Sequence, residues 1–443
     1  MKKHLIVKLS ASPPADYNPP QWLRFIKDKS RVVETLNPAF DALMQGLDIR
    51  FWVTREYELE TPHGSALETS QGLDRTYRVI FQKDYHLPPD LEARTARLPG
   101  IAEARLIAAI ESLLPEPHLA VQTARETVRM RSPGDLMHLN YARNLTRGDE
   151  RITIAVLDTG VDGGHPELSG KIALRKDFVH LAGLDTTDFV GDFLGLDDVP
   201  DDEVGHGTHV SGIISANGLR MEEGVAPGCR LMPVRVLATM TSRGKRYGAG
   251  IVDNINTGIK FAVDNGADVI NMSLGIRHVG GGLPHEDVIR YAVSKGVTVV
   301  AASGNDGTAE KYYPGALDGV WAVGATDEEG SVATFTSFGA RISVVAPGSR
   351  IYSAYANGGY AHASGTSQAA PFVAGAIALL KSFALRRGAR LSSSDLVDIV
   401  RHSSDRVDTR MRSERAGYGL INLADAFKYL SYQLSGSTMG ETR

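Results

Sequence analysis

"ITIAVLDTGVDGGHPEL", residues 152–168, runs from an apolar stretch straight into a carboxylate and a glycine-rich turn. From Ile152 to Leu157 there is no in-and-out alternation, so both faces are suited to burial, as in a parallel sheet covered on two sides. Four further runs share that texture: "LMPVRVL" (231–237), "ADVINMSLG" (267–275), "VTVVAASGN" (297–305) and "VWAVGATD" (320–327). Helical stretches separate several of them, among them "GIVDNINTGIKFAVDNG" (250–266) and "PHEDVIRYAVSKG" (284–296). The pattern predicts an α/β fold with a doubly wound, mostly parallel sheet. Sites in such sheets gather at the carboxyl ends of strands, and Asp158 stands at one.

The 443 residues suggest two or more domains, or one large domain with an appendage. A net charge of −4 gives no general basic field, so no nucleic-acid partner is expected. The one cysteine, Cys229, allows no internal disulfide and fits a reducing compartment. "MKKHLIVKL" has too short an apolar core for a secretory signal, and no stretch is long enough to span a membrane. The expectation is a soluble, cytoplasmic protein without membrane contact.

Residues 1–130 have a texture of their own. "HLIVKL" (4–9), "DIRFWVT" (48–54) and "TYRVIFQ" (76–82) read as strands, and "PQWLRFIKDKS" (20–30) and "PDLEARTARL" (89–98) as helices. "AEARLIAAI" (102–110) fits strand or helix. The order β-α-β-β-α-β is that of an α+β, ferredoxin-like domain. The segment 113–135, with Arg125, Arg129 and Arg131, reads as a linker to a second domain over 131–443, which ends in a frayed tail, "YQLSGSTMGETR".

"HASGTSQAAPFVAG" (362–375) places Ser367 at the head of an apolar helix, where a serine ordinarily serves as a cap. "VGHGTHVSGIISA" (204–216) places His206 and His209 at the start of another. That histidine pair lacks the further ligands of a zinc site. Asp158 alone reads equally as a turn cap. Together the three residue types make a nucleophilic set. A serine hydroxyl needs a base, histidine is that base near neutral pH, and a buried aspartate fixes its tautomer. Their chain order is Asp, His, Ser.

From about Ser132 to Leu430 the chain resembles the subtilisin-like serine proteases, the subtilase family (peptidase S8-like). "AVLDTGVDGGHPEL", "GHGTHVSGIISA" and "GTSQAAPFVAGAIALL" are similar to its catalytic blocks, and "GVAP", "VINMSLG", "VVAASGN" and "GYGLINLADA" to its structural blocks, in order. The resemblance implies a serine endopeptidase, with Asp158 as orienting acid, His206 as base, Ser367 as nucleophile and Asn305 as oxyanion donor; His209 falls on a framework histidine. It implies an extended substrate between Ser273, Leu274 and Gly275 on one side and Ala302, Ser303 and Gly304 on the other. By the same resemblance Tyr312 falls near the floor of the first side-chain pocket and would make it shallow; a core tyrosine is the other reading. Gln368 stands where the family often has an oxidisable methionine.

The family's calcium loop is reduced here to "NGLRMEE" (217–223), with Glu167 as companion carboxylate, so no cofactor is required and structural calcium is doubtful. The acidic run Asp197, Asp198, Asp201, Asp202 and Glu203 reads as a solvated loop, or as a feature that favours cationic peptides or binds a cation. Residues 1–130 occupy the position of the family's inhibitory prodomain; a retained regulatory or partner-binding module is the other reading. The partners expected are a peptide or protein substrate, the chain's own N-terminal domain as inhibitor, and a regulatory protein. The alternative function is a catalytically silent peptide- or partner-binding scaffold. A nucleotide-binding protein would need a phosphate-loop motif that is missing.

Overall fold

A computed structural model describes residues 4–107, 112–113, 131–181, 186–194, 196–242, 244–277, 283–339, 341–407 and 410–439. Its N-terminal part contains β1 (His4–Leu9), α1 (Trp22–Lys27), α2 (Pro38–Gly46), β2 (Phe51–Arg55), α3 (Ala66–Gln71), β3 (Thr76–Phe81), α4 (Leu91–Ala96) and β4 (Ile101–Ile107). The strands form one sheet in the order β2-β3-β1-β4, with every neighbour antiparallel. Period-two alternation splits its faces. Leu5, Val7, Val53 and Val79 close a core with Phe40, Met44 and Leu91, while His4, Lys8, Arg78 and Arg105 point the other way. The ambiguous stretch 102–110 is strand to Ile107; 108–110 lie outside the described residues.

A two-residue strand, β5 (Ser112–Leu113), precedes the larger unit. That unit runs α5 (Pro133–Leu136), α6 (Leu139–Leu145), β6 (Thr153–Asp158), β7 (Lys176–Asp177), β8 (Phe189–Val190), α7 (His206–Ser215), β9 (Arg230–Arg235), β10 (Ala238–Ser242), β11 (Lys245–Gly250), α8 (Val252–Asp264), β12 (Val269–Met272), β13 (Ile276–Arg277) and α9 (Glu286–Ser294). It continues with β14 (Thr298–Ala302), β15 (Tyr312–Tyr313), β16 (Val320–Thr326), β17 (Ile342–Pro347), β18 (Ile351–Tyr355), β19 (Gly359–Ala363), α10 (Thr366–Leu385), α11 (Ser393–Ser403) and α12 (Leu423–Met439).

Seven strands form a parallel sheet in the order β17-β16-β14-β12-β6-β9-β7. The β12, β14 and β16 runs are buried throughout, as their unalternating sequences require. One face packs against α7, α10, α11 and α12, and the other against α8 and α9. α10 is the one helix among the described residues long and apolar enough to cross a membrane; 94% of its apolar window is buried, and it is the core helix of this fold. The expected frayed tail is helical to Met439, where α12 packs on α11 through Phe427 and Leu430.

The charged face of the N-terminal sheet rests on α8 and α9. Asp253, at the start of α8, receives His4 at 3.0 Å and Arg105 at 2.7 Å, while Lys8 reaches Asp287 of α9 at 2.6 Å. Glu68 meets Lys260 at 2.7 Å, and Trp22 is buried against Val179, Ala249 and Ile251.

Candidate active site

β6 and β12 are neighbours at the centre of the sheet, and the chain departs from them to opposite sides. That switch of direction opens a crevice at their carboxyl ends. Asp158 ends β6 and is fully buried; His206 opens α7 and is 4% exposed. Asp158 Oδ1 accepts from Thr159 N–H and from His206 Nδ1, both at 2.7 Å. This contact fixes the proton on Nδ1 and leaves Nε2 as the basic nitrogen. Burial pulls the imidazole pKa down, but the charge and hydrogen bond of Asp158, with Asp202 nearby, outweigh it and hold it above 6.5.

The turn into α7 has a local cause. Gly205 takes φ 96°, and a β-carbon there would meet the Tyr355 ring. Asp202, expected in a solvated loop, is buried. Its Oδ1 accepts from Gly205 N–H and Thr159 hydroxyl, and its Oδ2 from Thr208 N–H and hydroxyl, at 2.7–2.8 Å. It satisfies donors that the helix start leaves unpaired. Asp198 pairs with Lys176, and Glu203 accepts from Thr239. Of the run, Asp201 is exposed without a described side-chain contact. His209 accepts no role as base: its Nε2 contacts the carbonyls of Ile351 and Ala361, and burial, with His206 adding to it, lowers its pKa to about 3.

Ser367 is the second residue of α10 and 3% exposed. Its hydroxyl donates to Ser273 C=O at 3.1 Å. Its own N–H lies in the first turn, where backbone donors are unpaired and the helix dipole favours negative charge. Asn305 Oδ1 accepts from Thr366 N–H at 2.8 Å, so the amide oxygen is fixed there and its NH₂ is turned the other way, a donor beside Gly365.

The segments on either side differ in use. Ser273–Gly275 leave the sheet after β12 and border Ser367. Ala302 is paired inside the sheet with Val323, Ser303 N–H donates to Val323 C=O, and Gly304 N–H donates to Thr366 hydroxyl. The N–H groups of Ser303 and Gly304 are thus already paired within the chain. The strand that takes an extended chain is β11, whose Ala249 and Gly250 pair with Leu113 and Ser112 of the same polypeptide. That edge was missed because "RYGAG" carries no apolar strand signal. Tyr312 fills the gap between the segments: its ring lies against Gly304 and Gly275, and Arg277 Nε donates to its hydroxyl at 2.9 Å. Arg277 also pairs with Asp306 and Glu310.

In the 217–223 loop, where structural calcium is doubtful from sequence, the Glu167 carboxylate is already committed to other partners. Glu167 is fully buried, and its carboxylate accepts from Gly218, Leu219 and Arg220 N–H at 2.6–3.0 Å and from Tyr360 hydroxyl at 3.2 Å. Backbone donors converge where a cation would need oxygens. Among the described residues no group of three or more histidine, cysteine or carboxylate side chains is placed to hold a metal.

The model of the Subtilase family matches residues 149–419. The chain is 40% identical over 247 residues to the Thermophilic serine proteinase of Bacillus sp. (strain AK1), covering 55% of this chain and 56% of that protein. It is 35% identical over 281 residues to Thermitase of Thermoactinomyces vulgaris, covering 63% and 88%. It is 39% identical over 241 residues to the Major intracellular serine protease of Bacillus subtilis (strain 168), covering 53% and 69%. Among solved structures, the prenylagaramide maturation protease PagA superposes with a TM-score of 0.54 at 31% identity, over 66% of this chain and 98% of that one. The chain therefore belongs to the subtilase family of serine endopeptidases.

Proposed function

We propose that Asp158, His206 and Ser367 hydrolyse peptide bonds through an acyl-enzyme, and that the N-terminal domain holds the enzyme latent. The buried 2.7 Å contact of His206 with Asp158, at the same sheet end as the Ser367 helix start, carries this reading. A substrate strand lies along β11, with the Ser273–Gly275 segment facing it. Ser367 Oγ attacks the scissile carbonyl as His206 Nε2 takes its proton, and Asp158 steadies the imidazolium. The oxyanion forms against Ser367 N–H and the Asn305 amide. His206 then protonates the leaving amine, and water enters by the same base to release the acid.

The latency rests on two observations. The N-terminal sheet buries its charged face on α8 and α9, and β5 lies on the β11 edge that a substrate would use. The strand order β2-β3-β1-β4 supports a ferredoxin-like domain over 1–130, followed by the catalytic domain over 131–443. A single buried cysteine and the intracellular relative in Bacillus subtilis support a cytoplasmic setting. The test is a fluorophosphonate probe on the purified chain. Labelling at Ser367, lost in Ser367→Ala, is the expected result once the latent chain is released; a wild type that stays unlabelled and fails to cleave casein even after the 113–135 segment has been cut with trypsin and the trypsin inhibited would leave a peptide-binding scaffold as the reading.

A further inference from the structure

α10 contains a proline six residues into the helix, Pro371. In an α-helix the N–H of residue 371 would bond the carbonyl of residue 367, and proline has none to give. The orphaned carbonyl belongs to the nucleophile itself. It sits in a buried place, where an unpaired acceptor is costly. The Ser273 hydroxyl fills the vacancy by donating to Ser367 C=O at 2.8 Å. Ser273 is fully buried, and its Oγ in turn accepts from Asn271 Nδ2 at 3.0 Å, which directs the hydroxyl proton at Ser367. In the other direction the Ser367 hydroxyl donates to Ser273 C=O. Two reciprocal bonds thus tie the end of β12 to the first turn of α10.

We infer that Ser273 is a positioning residue for the nucleophile, acting through its side chain by way of the carbonyl that Pro371 leaves unpaired. The inference rests on the proteolytic reading above. Asn271 sets the hydroxyl, the hydroxyl fixes the peptide unit after Ser367, and that unit sets where Oγ and the oxyanion-binding N–H stand. Small displacements of such groups lower rates steeply.

The arrangement makes a specific prediction. Ser273→Ala removes the bond to the orphaned carbonyl and lowers kcat roughly tenfold to a hundredfold, with KM held within about twofold. Fluorophosphonate labelling of Ser367 slows in parallel, and its pH midpoint stays in place because His206 is untouched. Pro371→Ala, added to Ser273→Ala, supplies the missing helical N–H and restores most of the labelling rate. A merely structural role would move the melting temperature without this split between kcat and KM. Ser273→Ala labelling as fast as wild type overturns the inference. So does a double variant no faster than Ser273→Ala while it melts at the wild-type temperature. A wild type that does not label even after the 113–135 segment has been cut and the N-terminal unit released sinks the proteolytic reading instead, which separates the two failures.

Discussion

His206 is held between opposing forces, burial against two carboxylates, and its raised pKa has two consequences. The base works only when neutral, so kcat/KM should climb above pH 6.5, not below it. The stabilisation from the Asp158–His206 contact has the opposite sign: it is full below the unfolded value and is lost as pH rises through the folded one. Asp158→Asn should lower kcat by roughly 10⁴ and Ser367→Ala by roughly 10⁶, and combining them should cost little more than Ser367→Ala alone. Additive losses in peptide hydrolysis would contradict a concerted unit. For Tyr312 the expectation is an effect on selectivity: with its ring between Gly275 and Gly304, the residue supplying the scissile carbonyl should be small. Tyr312→Gly should raise kcat/KM for phenylalanine over alanine there by about tenfold or more, read on matched peptide anilides. Asp158, His206 and Ser367 stood out in sequence because those residue types fall beside a strand end and two helix starts, and the structure sets the first two in contact. Asp202 and the Ser273 side chain did not, since their roles depend on which backbone donor or acceptor the fold leaves unpaired.

The parallel strands were legible because an unalternating apolar run has one use in a covered sheet. β5, β8 and the β10–β11 hairpin were not: short, polar and glycine-bearing, they are strands only because each supplies the other's hydrogen bonds. α12 differs: Phe427 and Leu430 anchor it in the core, and the helix carries on from there into the polar stretch that reads as a tail. The 217–223 loop shows a replacement at this scale. A carboxylate gathers three backbone N–H groups where the family would gather oxygens around calcium. Burial raises the Glu167 pKa, but those N–H groups and Tyr360 outweigh it and keep the carboxylate below its ordinary range. Its stabilisation is therefore present above the unfolded carboxylate value and lost as pH falls through the folded one. Chelation by EDTA should leave the melting temperature unchanged, whereas Glu167→Gln should cost about 1.5–3 kcal/mol. A melting temperature that rises steeply with added calcium would contradict this reading of the loop.

Across the molecule, the two units meet through charges taken out of water. Arg78 holds Glu56 at 2.8 Å and stacks on Trp22, while Asp253 gathers His4 and Arg105, and nearly all of these side chains are buried. Burial opposes the charge on Asp253, yet Arg105, His4 and Arg78 more than offset it and hold the carboxylate well below its usual range. Such a cluster adds little beyond what apolar packing would, but removing one member strands the others. Asp253→Asn keeps the shape and removes the charge, leaving Arg105 and His4 facing an uncharged amide. The expected loss is about 3–5 kcal/mol of docking, or roughly 10² to nearly 10⁴ in the equilibrium between docked and released domain. Two measurements on the full chain check it. In a Ser367→Ala background, which prevents self-cleavage, amide exchange at β1 and at the start of α8 should quicken in Asp253→Asn. With Ser367 intact, the same substitution should shorten the lag before a small peptide is hydrolysed, and intact-mass analysis should show the wild type cut between about Arg125 and Pro133, in the segment joining the two units. If exchange and lag both stay at wild-type values, the ionic cluster does not hold the domain in place. If the wild type hydrolyses peptide while remaining full length, the N-terminal unit is a retained module, and the latch it forms must open without being severed.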